Sequence, residues 1–294
     1  MSESTIPVSF GWLRDLPSIN DYTHEHATVK PLLAQVHAVG AANAASATNS
    51  VDLRAWCSPI ENQGNLGSCT AHAGVGMVEY YERRAFGKHL DASRLFLYKS
   101  TRDLMKATGD TGAFLRTTMG ALVLFGVPPE EYYPYVVANF DNEPSAFLYS
   151  FGQSFQVLNY YRLDPPGTTA ANLLTAIKTN LAAGLPSMFG FTVYSSINQA
   201  SVANKGAIPY PVAGEKVVGG HAIMAVGYND SLVIKNTSPG AVATTGAFLI
   251  RNSWDVTWGD GGYGWLPYAY VLKGLAADWW SLISQEYVDT GKFG

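Results

Sequence analysis

The chain has 294 residues, 47% of them hydrophobic, 13% aromatic and only 14% charged, which gives ample material for a core and excludes a disordered polymer. Nineteen Lys and Arg against 23 Asp and Glu leave a net charge of −4 with no basic run, so neither nucleic acid nor a membrane surface is expected as a partner. The longest apolar stretch, residues 119–127, is about half a membrane span, and no basic start followed by an apolar run opens the chain, so cytoplasm is the default compartment, with export left open.

Residues 1–37 carry Phe10, Trp12, Leu13, Leu16 and Ile19, interrupted by Pro7, Gly11, Pro17 and Pro31, without a long helical period. Residues 38–50 are uncharged and mostly Ala, Ser and Asn, the composition of a linker. Residues 1–50 therefore read as an N-terminal extension and linker, a regulatory or pro-like segment whose aromatic residues argue that it docks rather than floats, the cleft in cis being one place within its reach. The body starts near Val51. Helices are expected at 69–86, ended by Gly87, at 93–106, and around 113–125 before Pro128 and Pro129. After about residue 155 a helix at 169–182 precedes short β-rich runs at 186–193, 219–228, 231–237 and 246–254. The expected fold is α+β, with a helical half at 51–155, a β-rich half at 156–294 and a cleft between them.

With only Cys57 and Cys69, a disulfide scaffold is not expected, and the question becomes whether one thiol is reactive. Gly64 and Gly67 shape a tight loop, Ser68 stands as N-cap, and Cys69 opens the first helical turn. Free N–H groups and the macrodipole at a helix start favour the thiolate, although a cysteine there also serves as a small buried hydrophobe. A thiolate needs a base. His24, His26 and His37 lie in the extension and His89 in a loop. His72 shares the cysteine's own helix and reads as packing, whereas His221 comes from the other half and approaches across the cleft. Asn236 and Asn252 compete to orient that imidazole; Trp254, two residues beyond Asn252, favours Asn252 because an indole there excludes water from the bond. Gly259, Gly261 and Gly264 match a dinucleotide fingerprint but no helix follows, and Cys57, Cys69, His72 and His221 lack paired zinc spacing. No cofactor and no metal are expected.

Taken together, these residues resemble the papain family of cysteine peptidases, over about residues 51–294. The motifs are VDLR at 51–54, Pro59, Gln63-Gly64, GSCTA at 67–71, TGAF at 111–114, FGV at 125–127, YPY at 133–135, GGHAIMAVGY at 219–228, IRNSW at 250–254 and WGDGGYG at 258–264. Bacterial members share the GSCTA variant and a short N-terminal extension. The resemblance implies a papain-like fold with a barrel-like antiparallel half. It implies Cys69 as nucleophile, His221 as base and then acid, and Asn252 as the group fixing the imidazole tautomer. The Gln63 side chain and the Cys69 N–H would receive the oxyanion, Gly112 would pair with an extended substrate, and Thr111, Gly220 and Trp254 would line its site. The implied activity is endopeptidase hydrolysis of peptides or proteins through a thioester. The alternatives are a self-inhibited or idle binding protein, and acyl transfer or deamidation by the same triad. Thr70 stands where the family usually has Trp, and Leu66 where many relatives have a disulfide cysteine. The span from His221 to Asn252 implies a lengthened hairpin.

Overall fold

The computed structural model describes residues 9–43, 49–285 and 288. Its centre is helix α2, Cys69–Phe86, whose residues are buried from Cys69 through Tyr81. A helix covered on all sides must let its neighbours approach closely. Gly74 does this, since a Cβ there would lie 3.2 Å from side chains of both Leu97 and Thr118. Gly87, at φ 71°, ends the helix in the left-handed conformation and returns its N–H to Arg83 O. Helix α3, Arg94–Leu104, starts at Ser93, whose hydroxyl accepts from Phe96 N. Helix α4, Leu115–Leu124, follows the short strand β3, Ala113–Phe114. Helix α5 is Ala146–Gly152, and α6, Ala170–Ala182, is capped by Thr169.

Seven strands form one antiparallel sheet in the order β4 (Val157–Arg162), β9 (Ala276–Gln285), β5 (Ser187–Tyr194), β6 (Val217–Ile234), β7 (Thr244–Arg251), β8 (Tyr263–Pro267), with β2 (Ser50–Asp52) also on β6. Helix α7, Tyr268–Leu272, links β8 to β9. The sheet is open. Its path ends at β4 and β8, so the expected barrel-like antiparallel half is a sheet that does not close. The runs expected as separate strands at 219–228 and 231–237 are one strand, β6, because a register shift between Asn229 and Val233 absorbs the turn-forming residues there. Pairing of Ile234 with Thr244 closes the long hairpin. The core between sheet and helices includes Trp279, which stacks on Phe189 at 3.8 Å, with Tyr80 and Tyr81 fully buried on α2.

The extension departs most from its expected form. Val29–Asn43 is a helix, α1, that runs into the stretch read as linker. Pro31 falls in its first turn, where no intrahelical N–H is needed, and the alanine-rich residues favour helix over flexible chain. Residues 44–48 of that stretch lie outside the described residues, as do 1–8. Strand β1, Trp12–Leu13, pairs in parallel with β3. The Arg116 guanidinium holds the extension to the body through Asp15, through Asp21 at 2.7 Å and through Leu16 O at 2.7 Å. Arg162 N donates to Tyr22 O at 2.7 Å.

Candidate active site

The loop before α2 puts Cys69 at the helix start. Gly67 N–H donates to both carboxylate oxygens of Asp110, at 2.9 and 3.1 Å. Ser68 stands at the N-cap but caps nothing. Its hydroxyl meets the Tyr135 hydroxyl at 2.6 Å, so the first amides of the helix remain directed at the sulfur. From the sheet, the backbone N–H of Ala222 donates to Cys69 Sγ at 3.4 Å. That places the neighbouring His221, paired with Phe191 on β5, beside the thiol.

His221 Nε2 lies 2.8 Å from Asn252 Oδ1. Because Asn252 Oδ1 also accepts from Ser253 N, the bonding network assigns the proton to Nε2 and leaves Nδ1 as the basic nitrogen. Nδ1 is buried and has no hydrogen-bond partner. Trp254 stacks on the imidazole at 4.6 Å and 23°, closing it from water. Asn236 is elsewhere, donating to Glu215 Oε1 at 2.6 Å and Tyr210 O at 3.1 Å. His72 turns its Nδ1 to Ser68 O at 3.1 Å and packs edge-on against Tyr135. Cys57 is a buried free thiol with its sulfur toward Leu53 O.

Gln63 is fully buried. Ser253, a residue the sequence reading did not single out, donates its hydroxyl to Gln63 Oε1 at 2.6 Å. The amide therefore turns Nε2 outward, where it donates to Leu66 O at 2.9 Å and to Ser9 O at 3.1 Å. The only sequence signal for Ser253 was its place beside Asn252.

Residues 9–13 fill the cleft. Ser9 O takes the Gln63 N–H, the Phe10 ring stands edge-on to His221 and to Trp254, and the Gly11 N–H donates to the Cys69 sulfur. Gly11 O accepts from Ala113 N at 2.8 Å. The approach is so close that a Cβ on Gly11 would sit 1.8 Å from Gly67 O, and one on Gly112 2.3 Å from Gly11 O. Gly112 thus lies under the segment, but its own N–H goes to the Tyr98 hydroxyl at 3.0 Å. Thr111 is at the exposed rim, its hydroxyl on Gly112 O, and Gly220 lies beneath Trp12.

Covering the site reverses the expected ionisation. Burial pushes the Cys69 thiol up to about 11, against the N–H groups of Ala222, Gly11 and Thr70 that favour its thiolate. Burial also pulls the His221 imidazole down to about 4, against its bond to Asn252. With water displaced by the extension, desolvation outweighs the helix start, and both groups are neutral at pH 7. Burial likewise raises Cys57. Among the described residues no group of three or more His, Cys, Asp or Glu is gathered to hold a metal ion.

The helical wall bearing a cysteine at a helix start, facing a histidine and asparagine on an antiparallel sheet, defines the class. A model of the papain family cysteine proteases matches residues 47–271, and the chain belongs to that family. An uncharacterized peptidase C1-like protein of Acanthamoeba polyphaga mimivirus is 31% identical over 98% of this chain and 90% of its own. Peptidase 1 of Euroglyphus maynei is 28% identical over 76% of this chain; the match spans 62% of that protein. Among solved structures, xylellain, a cysteine protease from Xylella fastidiosa, superposes with a TM-score of 0.70 at 28% identity, covering 93% of this chain and 95% of its own.

Proposed function

We propose that the protein is a cysteine endopeptidase whose cleft is covered in cis by its own N-terminal segment. The observation that carries this reading is the His221 imidazole, tied to Asn252 with its Nδ1 unpartnered and next in the chain to the Ala222 N–H that meets the Cys69 sulfur, in a cleft where a peptide carbonyl, that of Ser9, already takes the Gln63 N–H. In the open site the thiol proton passes to His221 Nδ1, and the sulfur attacks the substrate carbonyl carbon. The C=O electron pair moves onto oxygen, where Gln63 Nε2 and the Cys69 backbone N–H receive it. As the tetrahedral centre collapses, Nδ1–H protonates the amine and the C–N bond breaks, leaving a thioester. A water then gives its proton to Nδ1 and attacks the thioester carbon, and the sulfur leaves. Asn252 holds the ring so that Nδ1 faces the sulfur throughout. The covering segment is not itself attacked because Gly11 presents an N–H to the sulfur, a donor where a substrate presents an electrophilic carbon.

Alkylation by iodoacetamide, read at Cys69 by peptide mapping with Cys57 as the internal control, tests the arrangement. In the intact chain Cys69 is expected to react slowly through pH 8 and faster only toward alkaline pH, following its raised value of about 11. Once the cover is displaced, Cys69 should react rapidly well below the ~8.5 of a free thiol while Cys57 does not. Ordinary thiol behaviour of the uncovered Cys69 would end the peptidase reading. Asn252→Ala is expected to lower kcat of the uncovered enzyme about 10- to 100-fold, and Asn236→Ala to change it less than about twofold. The reverse ranking would reassign the orienting residue.

A further inference from the structure

The place that Trp12 occupies in the cleft is built more closely than a cover requires. The indole lies flat on a bare patch of sheet where β5 contributes Gly190 and β6 contributes Gly220. A Cβ on Gly190 would lie 1.9 Å from the ring, and one on Gly220 2.9 Å from it. At the edge of the patch, Trp12 Nε1 donates to Asp278 Oδ2 at 3.2 Å, a bond buried from solvent. Asp278 comes from β9, where the register shift opposite Met188–Gly190 opens a bulge. The bulge puts Asp278 at φ 63°, in the left-handed region that asparagine, aspartate and glycine tolerate best. The other carboxylate oxygen is already engaged: Oδ1 accepts from Trp280 Nε1 at 2.8 Å and lies 3.2 Å from Arg162 Nη1. One oxygen is held by the fold and one is offered to whatever lies on the glycines.

Because Gly220 directly precedes His221, this slot adjoins the reacting bond of any peptide in the cleft. Its shape and its one free oxygen decide what it accepts. When the extension leaves it takes Asp21, one partner of Arg162, with it. Arg162 then stands between Asp164, at 2.8 Å, and Asp278, one cation between two carboxylates. A lysine or arginine guest would have to bring its charge out of water onto the glycine patch, whereas a flat ring covers the patch with carbon and satisfies Oδ2 through one N–H, as Trp12 does. Resting on the peptidase reading above, we propose that Asp278, with the Gly190–Gly220 patch, is a specificity pocket selecting substrates that place a tryptophan near the scissile bond, and that Trp12 occupies it as a substrate side chain would.

The test uses the full chain. Peptidyl vinyl sulfones carrying Trp, Phe, Leu or Arg at each of the three residues before the electrophile compete for Cys69. Opening of the cover is common to all of them, so rate ratios report the pocket. At one position the Trp probe should label about tenfold faster than its Phe counterpart, the size of a hydrogen bond to a charged acceptor, and Asp278→Gly should bring that ratio near one. Glycine accepts the positive φ and leaves Arg162 with Asp164. Equal Trp and Phe rates, or preference for Arg, would overturn the assignment. If no peptidyl probe labels Cys69 at all, it is the peptidase reading that fails. The pocket is then decided by iodoacetamide labelling of Cys69, which Trp12→Phe should accelerate about tenfold in the wild-type background and not at all in Asp278→Gly. Equal acceleration in both backgrounds would show that Asp278 does not hold the indole.

Discussion

Gly11→Val is expected to raise peptide turnover by the full chain about a hundredfold. The residue lies in the extension, so the substitution alters no group of the cleft itself. Its first added carbon would sit 1.8 Å from Gly67 O. That oxygen is backbone, in a loop fixed by the two bonds from Gly67 N to Asp110 and continuous with the first turn of α2. It cannot yield as the end of a flexible side chain would, so the segment from Ser9 to Leu13 must lift. Lifting gives up the Ser9 bond to Gln63, the pairing of β1 with β3 and the Trp12 bond to Asp278. Loss of about 3 kcal/mol of docking energy corresponds to roughly two orders of magnitude in open population. The Arg116 bonds to Asp15 and Asp21 lie farther along and keep the extension tethered. The measurement is kcat/KM on an unstructured peptide, with a thermal melt in parallel. A lower melting temperature without a gain in turnover would mean that the segment is welded into the fold and is no removable cover.

How far the sequence disclosed this arrangement follows from which forces act locally. Helices α2, α3, α4 and α6 were legible because periodicity, caps and prolines act over a few neighbouring residues. The linker reading missed α1 because composition alone does not separate a flexible alanine-rich stretch from a helical one; Pro31 looked like a breaker until its place in the first turn was known. The choice of His221 and Asn252 as a pair rested on chain order and on Trp254, which stacks on that imidazole. Ser253, Tyr98, Asp110 and Asp278 escaped notice because each acts through a partner far away in sequence. Ser253 reaches Gln63 across 190 positions, and Asp278 reaches Trp12 across 266. The thiol was expected to ionise easily from its helix start alone, but the segment that dehydrates it arrives from residues 9–13, which no property of the loop around Cys69 reveals.

His221→Asn and His72→Asn should separate the two histidines by orders of magnitude. Both are buried, and both meet a backbone or side-chain oxygen through one nitrogen, so burial and bonding alone do not rank them. Their free nitrogens do. His221 is tied through Nε2 to Asn252 and stacked on by Trp254, with its Nδ1 unpartnered and its chain neighbour Ala222 donating to the sulfur, while His72 turns its Nδ1 to Ser68 O at the start of its own helix and packs on Tyr135 at 5.0 Å. Burial and the positive charge of Arg94 hold His72 down at about 3, so it does not take up a proton near neutral pH. In the Gly11→Val background, His221→Asn leaves Cys69 without a base and is expected to lower kcat by about three orders of magnitude or more. His72→Asn keeps a donor for Ser68 O and loses ring packing, so kcat should fall less than about tenfold while stability drops by about 1–2 kcal/mol. Turnover with each variant, set beside its melting temperature, distinguishes chemistry from packing. Equal loss of kcat in both would mean that α2 positions the thiol through His72, and that the imidazole across the cleft is not alone in drawing its proton.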